Sequence, residues 1–183
     1  MKKVFFALSL SSALAFSVAT VWGDDDNRGR RLRATLTGYE EVPMVSTVAA
    51  GRFRGTIAHN EESFTYSLTF NDLQGVVTQS HIHAAQKSVN GAIVVWLCQT
   101  DTNPAPAASG AVPMCPAAPG GTVTGEIDAS NVVANAPTQQ LTAGELDEVI
   151  AAMRAGTAYV NVHSSLSGGG EIRGQIRVSG DRD

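Results

Sequence analysis

The chain has 183 residues with 13 basic and 17 acidic side chains, and two of the basic ones are Lys2 and Lys3 at its very start. Beyond them eleven cations face seventeen anions, a formal −6, and Lys87 is the single lysine. That balance lacks the dense basic face a nucleic-acid partner requires, and no stretch after residue 23 is long and apolar enough for a helical membrane span.

In "MKKVFFALSLSSALAFSVATVWG", Lys2 and Lys3 precede an apolar run from Val4 to Val18, and Val21-Trp22-Gly23 offers cleavage before Asp24. This reads as a secretory signal peptide over residues 1–23, so the mature protein is expected to be secreted or periplasmic. Residues 24–31 read as a disordered tail, in which "DDD" locally neutralises the basic cluster "NRGRRLR".

From there the chain reads in twos. "GRFRGTIA" and "SFTYSLTF" flank the turn "AHNEES" and predict a hairpin. Phe64, Tyr66, Leu68 and Phe70 take one face, while Ser63, Thr65, Ser67 and Thr69 take the other. "GAIVVWLC" is a continuous apolar run and predicts a strand buried on both faces. Cys98 and Cys115 bracket a Pro-, Ala-, Ser- and Gly-rich loop. In an exported chain an even cysteine count points to a disulfide, in preference to a thiolate metal site.

"GGTVTGEIDA" is a further strand. "LTAGELDEVIAAMRAG" breaks the period: Thr142 and Glu145 have capping-box spacing, and Leu146, Val149, Ile150 and Met153 recur at helical intervals before Gly156. A helix is therefore expected near 143–155. "TAYVNVH" and "EIRGQIRV" complete the strands. The expected fold is all-β, an antiparallel sandwich or barrel with one short helix.

Strand parity gives the functional candidates. His81 and His83 lie two apart and share a face, with Ile82 and Ser80 on the other. In "TAYVNVH", Ala158, Val160 and Val162 take one face, and Tyr159, Asn161 and His163 the opposite one. Two imidazoles at i and i+2 can chelate one cation, and His163 on another strand would make a third ligand. Neutral imidazole suits copper and zinc. The competing reading is polar residues on a wet face. His59, in its turn, reads as solvated, and Met44 and Met114, though soft enough for Cu(I), read as loop residues.

Four blocks carry a family resemblance: "LTGYEEVPMVSTVAAGRFRGTI", "TYSLTFNDLQG", "SHIHAA…NGAIVVWLC" and "AYVNVHSSLSGGGEIRGQI". Together they resemble the CHRD domain, first described in the animal protein chordin and widespread in exported bacterial proteins. The likeness runs over residues 32–178, with a domain expected over 32–179. The chain keeps Glu41, His81, His83, Asn90, Gly91, His163, Glu171, Arg173 and Gly174 of the family text, and has Met44, Ala84, Ala85 and Ala92 where that text has proline or glycine. The resemblance implies an immunoglobulin-like or superoxide-dismutase-like Greek-key sandwich and brings no established activity. Glu171, Arg173 and Glu41 are candidates to support the histidines, since a carboxylate can accept from the distal imidazole N–H and orient the ligand.

The leading expectation is an exported binding protein holding copper, or alternatively zinc, through His81, His83 and His163. The alternative is a metal-independent interaction or adhesion module that binds an envelope protein. With four histidines in all, the chain is short of ligands for a coupled copper–zinc centre, and no Ser or Cys stands in a G-x-S-x-G-like motif, so no catalytic residue is assigned.

Overall fold

The computed structural model describes residues 29–134 and 139–179; the expected signal peptide and the start of the expected tail lie outside them. Its strands are β1 (Arg31–Thr37), β2 (Ala50–Ile57), β3 (Ser63–Asn71), β4 (Val77–Ala84), β5 (Ala92–Cys98), β6 (Gly121–Asp128), β7 (Ala158–Ser164), β8 (Ile172–Gln175) and β9 (Arg177–Val178), with one helix, α1 (Leu146–Arg154). The strand order is β5-β4-β7-β8-β1-β2-β3-β6, β9 also pairing with β1, and every ladder between these strands is antiparallel. A bridge from Val95 to Val132, just after β6, draws the two ends together into a nearly closed sandwich. The all-β expectation with one short helix is met.

The β2–β3 hairpin forms in full register from Ala50–Asn71 to Ile57–Phe64. Phe64, Tyr66, Leu68 and Phe70 are all buried, joining Leu36, Phe53, Ile82, Leu97, Val160 and Ile172 in one core. Tyr66 keeps its hydroxyl satisfied there by donating to Leu97 O at 2.6 Å. β5 is buried from Val94 to Cys98, as its unbroken apolar run predicts. Cys98 and Cys115 are joined in a disulfide.

Three expectations need correction. The helix begins at Leu146, not near 143, because Gly144 takes a φ of +89° that no right-handed turn accepts. Glu145 Oε2 still accepts from Thr142 N–H at 2.7 Å, but Thr142 does not cap in return, so the pair closes a turn ahead of the helix. "EIRGQIRV" is two short strands, parted at buried Ile176, whose N–H donates to Ala158 O. Finally, the basic cluster is not all tail: Arg31 and Arg33 lie within β1, with Arg33 opposite Arg54 of β2.

Candidate metal centre

β4 and β7 run side by side, and their register sets the site. His81 lies opposite Asn161, His83 opposite Tyr159, and Gln79 opposite His163. On the far side β8 continues the rows, placing Arg173 opposite Asn161 and Gln175 opposite Tyr159. His81, His83, Tyr159, Asn161 and His163 therefore share one face, as parity predicts. That face is not wet. Relative exposures of 0% for His81, 7% for His83 and 6% for His163 show that the loops close over it.

The loops reach the histidines through their backbones. His83 Nδ1 donates to Gly91 O at 2.9 Å and His163 Nδ1 to Gly168 O at 3.0 Å. With the proton fixed on Nδ1, each Nε2 presents a lone pair. His83 Nε2 and His163 Nε2 lie 3.1 and 3.0 Å from the same atom, Asn161 Oδ1. His81 Nδ1 approaches His163 Nε2 at 3.2 Å, while its Nε2 is buried with no hydrogen-bond partner. One ligand atom from each of the three imidazoles falls within 4.8 Å of the others.

Electrostatics keep the set neutral and donor-rich. Burial drives the His81 pKa far down, and the nearby His163 and His83 lower it further. Burial likewise holds His83 at about 4, against the raising effect of its bond to Gly91, and keeps His163 below its ordinary value. Neutral imidazole is the form that binds a metal.

Aromatic rings frame the cluster. Trp96 meets His81 edge to face with centroids 4.2 Å apart, and Tyr159 stacks on His83 at 4.7 Å with its plane tilted only 2°. The Arg173 guanidinium carbon sits 3.4 Å above the Tyr159 ring, a cation–π contact made inside the protein. Arg173 donates to Asn90 Oδ1 at 3.1 Å, Val89 O at 2.8 Å and Gln86 O at 3.3 Å, pinning the loop that carries Gly91 O to His83. Glu41 is buried beside the cluster with Oε1 unpartnered; burial lifts its pKa to about 7, tempered by Arg173. Gly170, at φ +124°, allows this packing: a Cβ there would lie 2.3 Å from Glu41 Oε1 and 2.8 Å from Asn161 Nδ2.

The structure thus brings His81, His83 and His163 together, with Arg173 and Glu41 beside them. The acceptors of the distal imidazole N–H groups are the Gly91 and Gly168 carbonyls, not carboxylates. Glu171 faces another way, accepting from Thr47 Oγ1 and Gln74 N–H, each at 2.8 Å, and so ties the Thr47 loop and the β3–β4 turn to the start of β8. His59, Met44 and Met114 are exposed, as expected. Sequence reasoning assigned no role to Asn161, Trp96 or Tyr159. Asn161 and Tyr159 carried a legible signal, since both sit on the histidine face of "TAYVNVH".

Fold and site together define an antiparallel β-sandwich class with one disulfide and a buried polyhistidine cluster. The CHRD domain matches residues 32–176, nearly all of the described chain, and the protein belongs to that family. Neither a curated protein nor a solved structure matches the chain.

Proposed function

We propose that this exported CHRD protein binds one copper ion, or alternatively zinc, through His81, His83 and His163, and serves in metal handling or as a metal-stabilised domain. The supporting observation is the convergence of three buried neutral imidazoles, one carrying a nitrogen with no partner. A buried polar atom without a partner is uncommon in a native protein and often marks an ion. Imidazole nitrogens suit Cu(II) and Zn(II), and the general order of affinities favours copper. An enclosed site suits retention of an ion more than turnover of a substrate, so no catalytic role is assigned. The disulfide agrees with an oxidising, extracytoplasmic location.

Isothermal titration of the mature protein with Cu(II), Cu(I) and Zn(II) tests the reading. One tight equivalent is expected, and it should vanish when all three histidines are replaced by alanine. Equal affinity in that triple variant would overturn it.

A second reading, a metal-independent interaction module for an envelope protein, draws on exposed apolar side chains. Tyr39, Met44 and Val48 lie between β1 and β2, the segment that also holds Glu41, and Val89 directly precedes Asn90. Retention of an envelope partner by metal-stripped protein would favour it.

A further inference from the structure

Away from the histidines, the outward positions of β1, β2 and β9 collect arginine. Arg33 stands across from Arg54 of β2 on one side and from Arg177 of β9 on the other. Arg52, two residues before Arg54 and so on the same face, stands across from Thr35. Directly opposed side chains in a sheet are about 5 Å apart at Cβ and repel when their charges are alike. Residues two apart on one strand are about 7 Å apart. No carboxylate relieves the crowding: Arg33, Arg52 and Arg54 are exposed and make no hydrogen bond or ion pair with any described residue.

The chain does not lack acids to set against them, since beyond Lys2 and Lys3 it carries a formal −6. It spends them elsewhere. Lys87 meets Glu40 at 3.1 Å and Arg154 meets Glu61 at 2.6 Å. Glu126 and Asp128, exposed on β6, bond to Ser63 and Ser130. On the arginine face the neighbours are hydroxyls instead. Arg54 faces Ser67 and Arg52 faces Thr69 on β3, with Thr124 and Thr122 beyond them on β6.

This chemistry narrows the partner. A nucleic acid asks for a denser basic face and for aromatic rings on which bases stack, and a membrane surface for an apolar anchor among the cations. No aromatic or large apolar side chain points outward in these rows. Guanidinium forks match carboxylates, and the flanking serines and threonines match hydroxyls. From Arg177 to Thr124 the face crosses four strand spacings of about 4.8 Å each, room for an extended chain.

We infer that the outward face of β1, β2 and β3 binds an acidic polysaccharide, a linear sugar chain bearing carboxylates, with Arg33, Arg52 and Arg54 gripping its anionic groups. The inference does not depend on the histidine cluster.

The test titrates the mature protein, with a chelator present, against polygalacturonate and neutral dextran. The variants are the triple Arg33→Gln, Arg52→Gln, Arg54→Gln and a control, Lys87→Gln with Arg154→Gln. All five positions are exposed, and a thermal melt of each variant checks its fold. Polygalacturonate should bind wild type and control alike, more weakly as salt rises, and dextran neither. Affinity should fall about 10-fold or more in the triple variant. No binding by wild type, or as large a loss in the control, would overturn the inference. Equal affinity for polyglutamate would show that charge alone decides, and preference for phosphatidylglycerol vesicles would give the face to lipid; either result also overturns it.

Discussion

In β2, β3 and β6 buried and exposed positions largely alternate, whereas β7 is buried at all seven of its positions and β8 at three of four. The first group turns threonines, serines and arginines out to water, where they need no partner from the protein. The second group carries an equally polar face under a cover of loops, so each polar atom there must find a partner or an ion. Arginine makes the contrast plain. Arg54 lies exposed on β2 opposite Arg33, a like-charge cross-strand pair that water tolerates. Arg173 lies at 1% exposure on β8 with three acceptors and an aromatic ring arranged around it. One residue type is thus a solvent-facing cation in one half and a structural brace in the other.

The largest test of this contrast replaces each arginine with leucine. Arg173→Leu strands three acceptors and leaves Glu41 without its buried cation, which should cost about 3 kcal/mol or more in urea unfolding. Arg54→Leu should shift stability by no more than about 0.5 kcal/mol. Similar losses from both would show that the two faces do not differ as described. Next in size is the disulfide at the end of β5, which spans 17 residues of sequence. A Cys98→Ser, Cys115→Ser double variant should lose about 3 kcal/mol by chain entropy, read as a lower urea midpoint.

Acid should single out the covered face. In metal-free protein the unfolded chain takes up protons near the ordinary histidine value of 6.5, while folded His83 waits until about 4. Stability should therefore fall as pH drops through that window, by up to about 1.4 kcal/mol per pH unit for each such histidine. Glu41 opposes this. Folded, it holds its proton up to about 7, against 4.5 when unfolded, so its contribution is lost as pH rises through that interval. Glu41→Gln should remove the opposing trend and steepen the acid loss, measured as unfolding free energy from pH 7 to pH 4.5. The smallest effect belongs to the exposed face: Arg54→Glu sets opposite charges across from Arg33 and should stabilise by about 0.5 kcal/mol, readable as a small rise in Tm.

Periodicity made much of this legible. The alternation in "SFTYSLTF" and the apolar run in "GAIVVWLC" foretold which positions enter the core, and parity put His81 and His83 on one face with His163 and Asn161 on another strand's matching face. Where local signals misled, a backbone constraint intervened. Gly144 ended the turn that the Thr142–Glu145 spacing implied was already helix, and the shift of pairing from β7 to β1 broke "EIRGQIRV" in two.

By itself, then, the sequence determined the strands, their inward faces, the cysteine pair and the candidate histidines, because each of these depends on spacing along one segment. Only the tertiary structure decided that the polar face of β4, β7 and β8 is covered. It also decided that β4 and β7 are neighbours in the register that joins three imidazoles, and that Asn161 reaches two of them. Those facts depend on loops far apart in the chain meeting over one sheet, and no period within a segment encodes such a meeting. Burial then turns a set of ordinary polar side chains into neutral, converging donors.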